Sequence, residues 1–426
     1  MKPRWKTKFL ILTLVVVMAL SFMFPAPVLA APTISASVAV PSMVSLFGDI
    51  GPAGGTPDSP LGPGWTTFVV DGPTSGNTVT IDLKAFFLAL LPSDMASRIP
   101  SDKTTSWNSY LTGLETTSMV WDGTGSIWKY AFELDNLFQV IGGFIGSGPA
   151  LNLVLEDLRL GAKTVSVSAS NGGTATGSVS LTVVDAQVPL RQGWNAGSFP
   201  FALSNALWGT VRQYGPGVSY DVAIRWDAAT TAWVLLTDAY SLSPLEGFFI
   251  HATADTQIGA ILNRSYTAPP TRSLSAGWNL VGSAPDFIKN FSLYYPKTGT
   301  GAKMRGLMKA DDNFISLLTT SSGATGYTMV LSVGQDAGYT STYKYGTYSL
   351  STSYPWLMGQ PAWGYTTLSS GSILADPITP DNYFGWVVPF GAYWVYMENA
   401  DTLAGFTSTP LSKQWLATAR QTILGF

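Results

Sequence analysis

The side chains that most often carry catalysis are scarce in this chain of 426 residues, which has one histidine and no cysteine. Without cysteine there is no thiol nucleophile and no thiolate metal ligand. A Ser-His-Asp triad would have to use His251, which follows Ile250 in an apolar segment, and the sequence has no G-x-S-x-G elbow. We therefore interpret His251 as a structural residue.

Paired carboxylates could instead hydrolyse glycosides. The chain has five glutamates, and their spacing marks no pair: Glu115, Glu133, Glu156, Glu246 and Glu398. Asp122-Gly123-Thr124-Gly125 differs from the Asp-Thr-Gly motif of aspartic proteases. The sequence therefore predicts a protein that is not an enzyme, with a secreted glycoside hydrolase as the least favoured alternative.

Carboxylates in loops could hold a structural calcium ion, because Ca²⁺ prefers oxygen ligands. Asp311-Asp312-Asn313 and Asp381-Asn382 have suitable residue types, but neither has the Asp-x-Asp-x-Asp-Gly spacing. We expect no catalytic cofactor. Asp311, Asp312 and Asp381 stand as weak candidates for a metal site.

The first thirty residues have the pattern of an export signal. Four basic residues precede the uncharged apolar run 9–24, and Val28-Leu29-Ala30 offers small residues for cleavage, which predicts a mature N-terminus at Ala31. The alternative is a retained anchor, but sixteen residues make a helix of about 24 Å, shorter than the ~30 Å hydrocarbon core. The sequence therefore places the protein outside the cell or at the cell surface.

Charge and composition limit the partners. Beyond residue 30 the chain has 19 Lys and Arg against 26 Asp and Glu and no basic block, which argues against nucleic acid and anionic membranes. Charged residues make up 12% of the chain and aromatic residues 13%. Such chains suit exposed β-sheets and associate readily, since little repulsion opposes contact. We expect as partners other surface proteins or further copies of this chain, with cell-wall or extracellular polysaccharide as the alternative.

Two phrases occur twice and predict duplicated structural units. Leu190-Arg191-Gln192-Gly193-Trp194-Asn195 returns as Leu274-Ser275-Ala276-Gly277-Trp278-Asn279. Gly247-Phe248-Phe249-Ile250, followed by Asp255-Thr256, is echoed by Ala392-Tyr393-Trp394-Val395, followed by Asp401-Thr402. We expect Trp194, Trp278 and Trp394 to be core anchors of these units.

A third pattern places two tryptophans seven positions apart. Folding the chain between Trp226 and Trp233 as a hairpin makes the two indoles a directly opposed cross-strand pair. The spacing recurs twice, at Trp356 with Trp363 and at Trp121 with Trp128. The favoured interpretation is a packed hairpin with buried indoles and no response to polysaccharide. The alternative is a carbohydrate-binding platform formed by Trp226, Trp233, Trp356 and Trp363.

The segment before the repeats reads as one domain. Residues 164–169 and 179–183 alternate apolar and polar side chains around Asn171-Gly172-Gly173, which predicts a hairpin. Residues 78–81 predict a strand, and residues 83–91 and 151–160 predict helices or buried segments. The hairpin resembles the last two strands of bacterial immunoglobulin-like domains. We expect the apolar segment 138–150 to pack on this sandwich; the alternative is a loop that binds a partner or touches a membrane.

The repeated phrases resemble a family of β-rich modules at the C-termini of secreted and surface-layer-like bacterial and archaeal proteins. Units of that family open with L-x-x-G-W-N-L-I, continue through a tryptophan hairpin, and close with G-x-Y-W-I. The resemblance covers residues 188–410. In this chain Ala196-Gly197 replaces a large apolar pair, and residues 321–354 form a Tyr/Ser/Gly-rich insertion. The family implies a role outside the cell and no known chemistry.

The sequence as a whole predicts an all-β protein with an immunoglobulin-like sandwich, helical or apolar insertions, and two repeat units. The expected segments are a signal peptide (1–30), the sandwich domain (31–187), the first unit (188–272), the second unit (273–410) and a C-terminal tail (411–426). The expected function is a non-catalytic structural or adhesive module of the cell surface.

Overall fold

The structure is a computed structural model. It describes residues 32–38, 42–47, 65–282 apart from positions 147, 172, 191, 216, 255, 264, 266 and 267, and then 308–309, 315–317, 327–334, 362–366, 386–387 and 391–405. Strands predominate over helices among the described residues, so the all-β class is confirmed. The expected signal peptide and C-terminal tail lie outside the described residues. Among those that are described, no helix has the length and hydropathy needed to cross a bilayer.

The N-terminal part contains two sheets. The first has the order β1-β3-β7-β6 and consists of β1 (Ser35–Val38), β3 (Trp65–Asp71), β7 (Ile127–Glu133) and β6 (Val120–Asp122). The second includes β4 (Thr78–Asp82), β5 (Thr117–Ser118), β8 (Gly161–Ser170) and β9 (Thr174–Leu190), with β2 (Met43–Phe47) parallel to β9. The predicted hairpin is confirmed as β8 and β9, which pair from Ser170 opposite Thr174.

Helices fill the connections of this part. They are α1 (Leu83–Leu90), α2 (Met95–Arg98), α3 (Thr104–Glu115), α4 (Leu134–Ile145) and α5 (Pro149–Glu156). Asp82 caps α1, since its Oδ1 accepts the backbone N–H of Lys84 at 2.9 Å. Phe138 and Ile141 of α4 are fully buried in the core shared with the sheets. The apolar segment therefore packs on the sheets, as the favoured interpretation predicts.

The first unit has a four-stranded sheet of order β10-β13-β11-β12. Its strands are β10 (Gly193–Ser198), β11 (Tyr220–Asp227), β12 (Ala232–Leu235) and β13 (Gly247–Ala252), followed by β14 (Thr256–Ala260); α6 (Trp208–Val211) precedes β11. β14 pairs with the C-terminal end of β9, from Ala186 to Leu190. The 17 residues of β9 thus run across the expected domain boundary at 187/188 and join the first unit to the N-terminal sheet.

The second unit repeats this arrangement with the order β16-β21-β18-β19. Its strands are β15 (Thr271–Leu274), β16 (Gly277–Gly282), β17 (Met308–Lys309), β18 (Tyr327–Gly334), β19 (Ala362–Thr366), β20 (Trp386–Val387), β21 (Ala392–Met397) and β22 (Asp401–Ala404). β15 pairs with β22, and β17 pairs with β20. A 3₁₀ turn at Ile315–Leu317 lies between β17 and β18.

The two units have the same strand register, which confirms that the repeated phrases begin equivalent strands. Trp194 lies opposite His251, and Trp278 lies opposite Tyr396. The third strand of each unit carries a bulge at the same place, after Tyr220 in β11 and after Tyr327 in β18. Thr256 and Asp401, which lie opposite Leu190 and Leu274, occupy equivalent places, so the alignment of the Asp-Thr pairs is wrong by one residue.

The extra chain of the second unit lies only partly where expected. Residues 327–334, inside the expected insertion 321–354, form β18, the counterpart of β11. The second unit is longer than the first in three connections: positions 283–326 stand in place of 199–219, positions 335–361 in place of the four-residue turn 228–231, and positions 367–391 in place of 236–246. The expectation erred because β18 combines Tyr, Ser and Gly with apolar residues and so resembles a loop in composition.

Candidate functional site

Glu246, one of the five glutamates, serves as a buried acceptor at the junction of the two units. Its Oε1 accepts a hydrogen bond from the Tyr240 hydroxyl at 2.6 Å, and its Oε2 accepts one from the Ser243 backbone N–H at 3.1 Å. Arg272 of β15 reaches the same carboxylate at 3.4 Å. Burial and the hydrogen bond to Glu246 raise the pKa of Tyr240 above its ordinary value. The contact with Arg272 therefore ties Glu246 of the first unit to the start of the second.

His251 lies half-exposed on β13. Its Nδ1 is 2.8 Å from the Asp221 Oδ1, and its ring lies 5.1 Å from the Trp194 ring between centroids. Tyr396 stands in the equivalent place and lies 5.1 Å from Trp278. Each unit thus keeps an indole beside a second flat ring, although only one of the two rings is an imidazole.

The retained Gly-Trp-Asn phrase has a local structural explanation. Gly193 and Gly277 have φ values of +101° and +91°, a region that residues with a Cβ rarely enter. The Asn195 side-chain amide donates to the Gly193 carbonyl at 2.8 Å, and that of Asn279 donates to the Gly277 carbonyl at 3.0 Å. Glycine permits the turn into the strand, and the asparagine side chain supplies a donor to the carbonyl of that glycine.

The sheets of the two units face each other across what we call the seam. Its buried side chains are Ala196, Phe249, Leu280, Ala392 and Trp394, with Trp194, Ile224, Trp226 and Trp278 packed against them. The side chains of β10, β11, β13, β16 and β21 supply this set, and where a strand gives two of them they stand at alternate positions, as the period of two requires. The aromatic side chains selected as separate anchors from the sequence therefore meet in one interface.

The rings of the seam meet edge to face. The Trp394 centroid lies 5.5 Å from Trp226, 5.6 Å from Trp233 and 6.2 Å from Trp278, with interplanar angles of 73°, 83° and 85°. Edge-to-face pairs contribute about 0.5–1.5 kcal/mol beyond the area they bury. The Trp226 Nε1–H also donates across the seam to the Trp278 carbonyl at 2.9 Å.

Small residues let the two sheets approach at the centre of the seam. A Cβ added to Gly282 would lie 2.5 Å from the Ser198 side chain, and one added to Gly247 would lie 2.7 Å from Leu280 and 3.0 Å from Ala392. The Ser198 Oγ donates to the Gly391 carbonyl at 2.6 Å, and the Gly282 N–H donates to the Leu245 carbonyl at 2.8 Å. Sequence reasoning missed these positions; their small size was the signal available.

The hairpin pair is present, but one of its indoles is not buried. Trp226 lies directly opposite Trp233, and Trp121 lies directly opposite Trp128, which confirms the cross-strand pairing. Trp233 keeps 47% of its surface exposed, because β12 is the edge strand of its sheet, so the expected burial of both indoles is wrong. Trp194 and Trp278 are mostly buried and lie beside the closing strands β13 and β21, as expected, and Trp394 is 8% exposed.

The third tryptophan pair does not follow the hairpin of the first unit. Trp363 of β19 lies opposite Val333 of β18, so Trp363 is the counterpart of Trp233 and Val333 that of Trp226. Trp356 lies outside the described residues. The spacing at Trp356 and Trp363 therefore does not mark an equivalent of the Trp226 hairpin.

The weak metal candidates Asp311, Asp312 and Asp381 also lie outside the described residues. In the part of the chain that the structure covers, no group of three or more His, Asp or Glu side chains is placed to hold a metal ion. The calcium expectation stays a prediction.

Comparison with known proteins gives weak neighbours. No family model and no curated protein matches the chain. Two solved structures are similar at low scores. One is from a 1.5-MDa bacterial ice-binding adhesin (10% identity, 72% of this chain and 82% of that chain, TM-score 0.18). The other is from a Ca²⁺-stabilized, ice-binding adhesin of an Antarctic bacterium (12% identity, 72% and 61%, TM-score 0.16). These weak neighbours are bacterial adhesins; at such TM-scores the likeness carries no argument about this chain.

Proposed function

We propose that this protein is an exported, non-catalytic structural or adhesive module of the cell surface. The observation that carries the proposal is the seam: two equivalent units are locked face to face by aromatic rings, with glycines at the closest approach. Interfaces of this kind hold two sheets in one fixed orientation, because packed cores do not deform continuously. A rigid body of low charge suits a load-bearing or contact-making role.

The placement of the polar side chains supports the non-catalytic part of the proposal. Glu246 accepts three donors at the junction of the units, and His251 is paired with Asp221 on a strand whose counterpart has Tyr396. Both side chains have structural tasks that explain why they are present. The proposal includes no cofactor.

Cell fractionation tests the proposal directly. We expect the protein in the envelope of the source cell, and we expect a deletion strain to lose envelope integrity or attachment to surfaces. Complementation with a chain that carries Trp394→Ala, which weakens the seam, should restore envelope integrity or attachment poorly. Trp121→Ala in the N-terminal sheet is the matched control, because it leaves the seam intact. Protein found only in the cytoplasm would refute the proposal.

A carbohydrate-binding module is the second candidate, because Trp233 presents an indole with 47% of its surface exposed beside Leu235, which is 62% exposed. An exposed indole can stack on a sugar ring. Tryptophan fluorescence titrated with purified cell-wall polysaccharide tests this function. Saturable quenching that Trp233→Ala abolishes and Trp121→Ala preserves would favour carbohydrate binding. An unchanged spectrum would refute it and leave the structural role as the proposed function.

A further inference from the structure

Equivalent positions meet each other at the centre of the seam. Ser198 and Gly282 are the last residues of β10 and β16, and they are in direct contact. Gly247 and Ala392 are the first residues of β13 and β21, and they also contact each other. A contact between equivalent positions is the mark of an isologous interface, in which one surface binds a copy of itself about a local two-fold axis.

An isologous surface does not distinguish a copy in the same chain from a copy in another chain. The face of the first unit is complementary to the face of any second unit, wherever that unit is attached. The contacts of the seam include aromatic packing and the hydrogen bonds from Ser198 to Gly391 and from Trp226 to Trp278. All of them would form equally between two molecules.

The connection between the units permits such an exchange. Ten positions, 261–270, join β14 to β15. Asn263 is held to the first unit through its N–H to the Ala202 carbonyl, at 2.9 Å, and Pro270 is held to the second unit by the Gly405 N–H, at 2.8 Å. The positions between these anchors can reach about 20 Å when extended, since each residue spans about 3.3–3.6 Å. Exchange therefore breaks the seam and the contacts beside it while each unit keeps its own sheet.

We propose that the seam also closes between chains, with the first unit of one copy bound to the second unit of another, so that the partner of this surface is a second copy of this chain. The inference rests on the structural role proposed above and names the partner for it. The closed and exchanged forms have the same contacts, so local concentration decides between them. For a short linker the closed and exchanged forms become equally favourable at about millimolar protein concentration. A crowded surface layer reaches this concentration, and a dilute solution does not.

Two full-length variants with one blocked face each test the proposal. Gly282→Leu blocks the second unit, because a Cβ there would lie 2.5 Å from Ser198, and Gly247→Leu blocks the first unit against Leu280. Each variant alone keeps one face intact, and because the two faces differ, with Phe249 and Trp226 in the first unit where the second has Trp394 and Val333, each should be monomeric at tens of micromolar concentration. Mixed together, the intact first unit of one and the intact second unit of the other should form a one-to-one dimer in light scattering after chromatography.

A chain carrying both substitutions is the matched control, because it has no intact face and should form no dimer with either single variant. A mixture of folded single variants that stays monomeric would overturn the proposal. If circular dichroism shows either variant unfolded, the wild-type chain refolded at about 1 mM and then diluted decides: a persistent dimer supports exchange, and monomer alone refutes it. Neither result bears on the fractionation test of the proposed function, so the two can fail separately.

Discussion

Trp394→Ala should destabilise the seam more than the loss of any other single ring in it. Trp394 is 8% exposed and lies within 6.2 Å of three other indoles, whereas Trp233 keeps nearly half its surface in solvent. Removing a buried tryptophan costs about 3–5 kcal/mol, because the transfer free energy and the contacts around the cavity are both lost. We expect Trp233→Ala to cost about 1–2 kcal/mol, since less surface leaves a buried environment.

Trp394→Phe is the sharper control. Phe249 occupies the equivalent place in the first unit, opposite Ala196 as Trp394 is opposite Leu280. The Trp394 Nε1 is buried without a hydrogen-bond partner among the described residues, so phenylalanine removes no hydrogen bond. We expect this variant to cost about 1 kcal/mol, mainly through the smaller ring.

Urea unfolding followed by near-ultraviolet circular dichroism, which reports on packed tryptophans, provides the measurement. The midpoint for Trp394→Ala should fall by more than about 1 M, given slopes of about 1–3 kcal/mol per molar urea. The midpoint for Trp394→Phe should fall by a small fraction of that. If Trp394→Ala shifts the midpoint no more than Trp233→Ala does, or if Trp394→Phe costs as much as Trp394→Ala, the seam is not the packed core described above.

Further expectations concern the other parts of the chain. N-terminal sequencing of the exported protein should begin at Ala31, and an intact Met1 would contradict the signal peptide. Asn279→Ala should cost about 1–2 kcal/mol in thermal unfolding, because the Gly277 carbonyl loses its donor; a variant that melts like the wild type would show that the turn does not need it. The hydrogen bond from Arg212 lowers the pKa of Asp238 below its ordinary 3.8, so this pair stabilises the fold above about pH 4 and loses that contribution as the pH falls through the folded pKa. The free energy of unfolding of Asp238→Asn should therefore fall less steeply below pH 4 than that of the wild type. The same pH dependence in both proteins would refute the stabilising role of the Arg212–Asp238 pair.

Local patterns predicted local structure well. The hairpin of β8 and β9 follows from strict alternation around Asn171-Gly172-Gly173, and α1 lies where the apolar run 83–91 predicts a helix or a buried segment. The opposed Trp226 and Trp233 follow from their spacing about a short turn. In each case neighbours along the chain supply the determining interactions, so sequence alone is sufficient.

The errors concern what distant segments do to each other. Both indoles of the Trp226 hairpin were expected to be buried, yet their face packs on the second unit and leaves Trp233 at an open edge. Trp363 was paired with Trp356 by spacing, whereas its neighbour across the strands is Val333, distant in sequence. Spacing along the chain carries no information about a partner that a long insertion separates from it.

The sequence alone determined that the chain is β-rich and that two segments are copies of one unit that opens with Gly-Trp-Asn. These properties depend on backbone conformation and on alternation, which act over a few residues. Only the tertiary structure decided that the two units meet face to face and that Gly247 and Gly282 admit the opposing sheet. The same apolar face could have packed on the N-terminal sheets or on solvent-shielding loops, because burial of apolar area has no direction; the fit of small residues against large ones across the seam selected one arrangement.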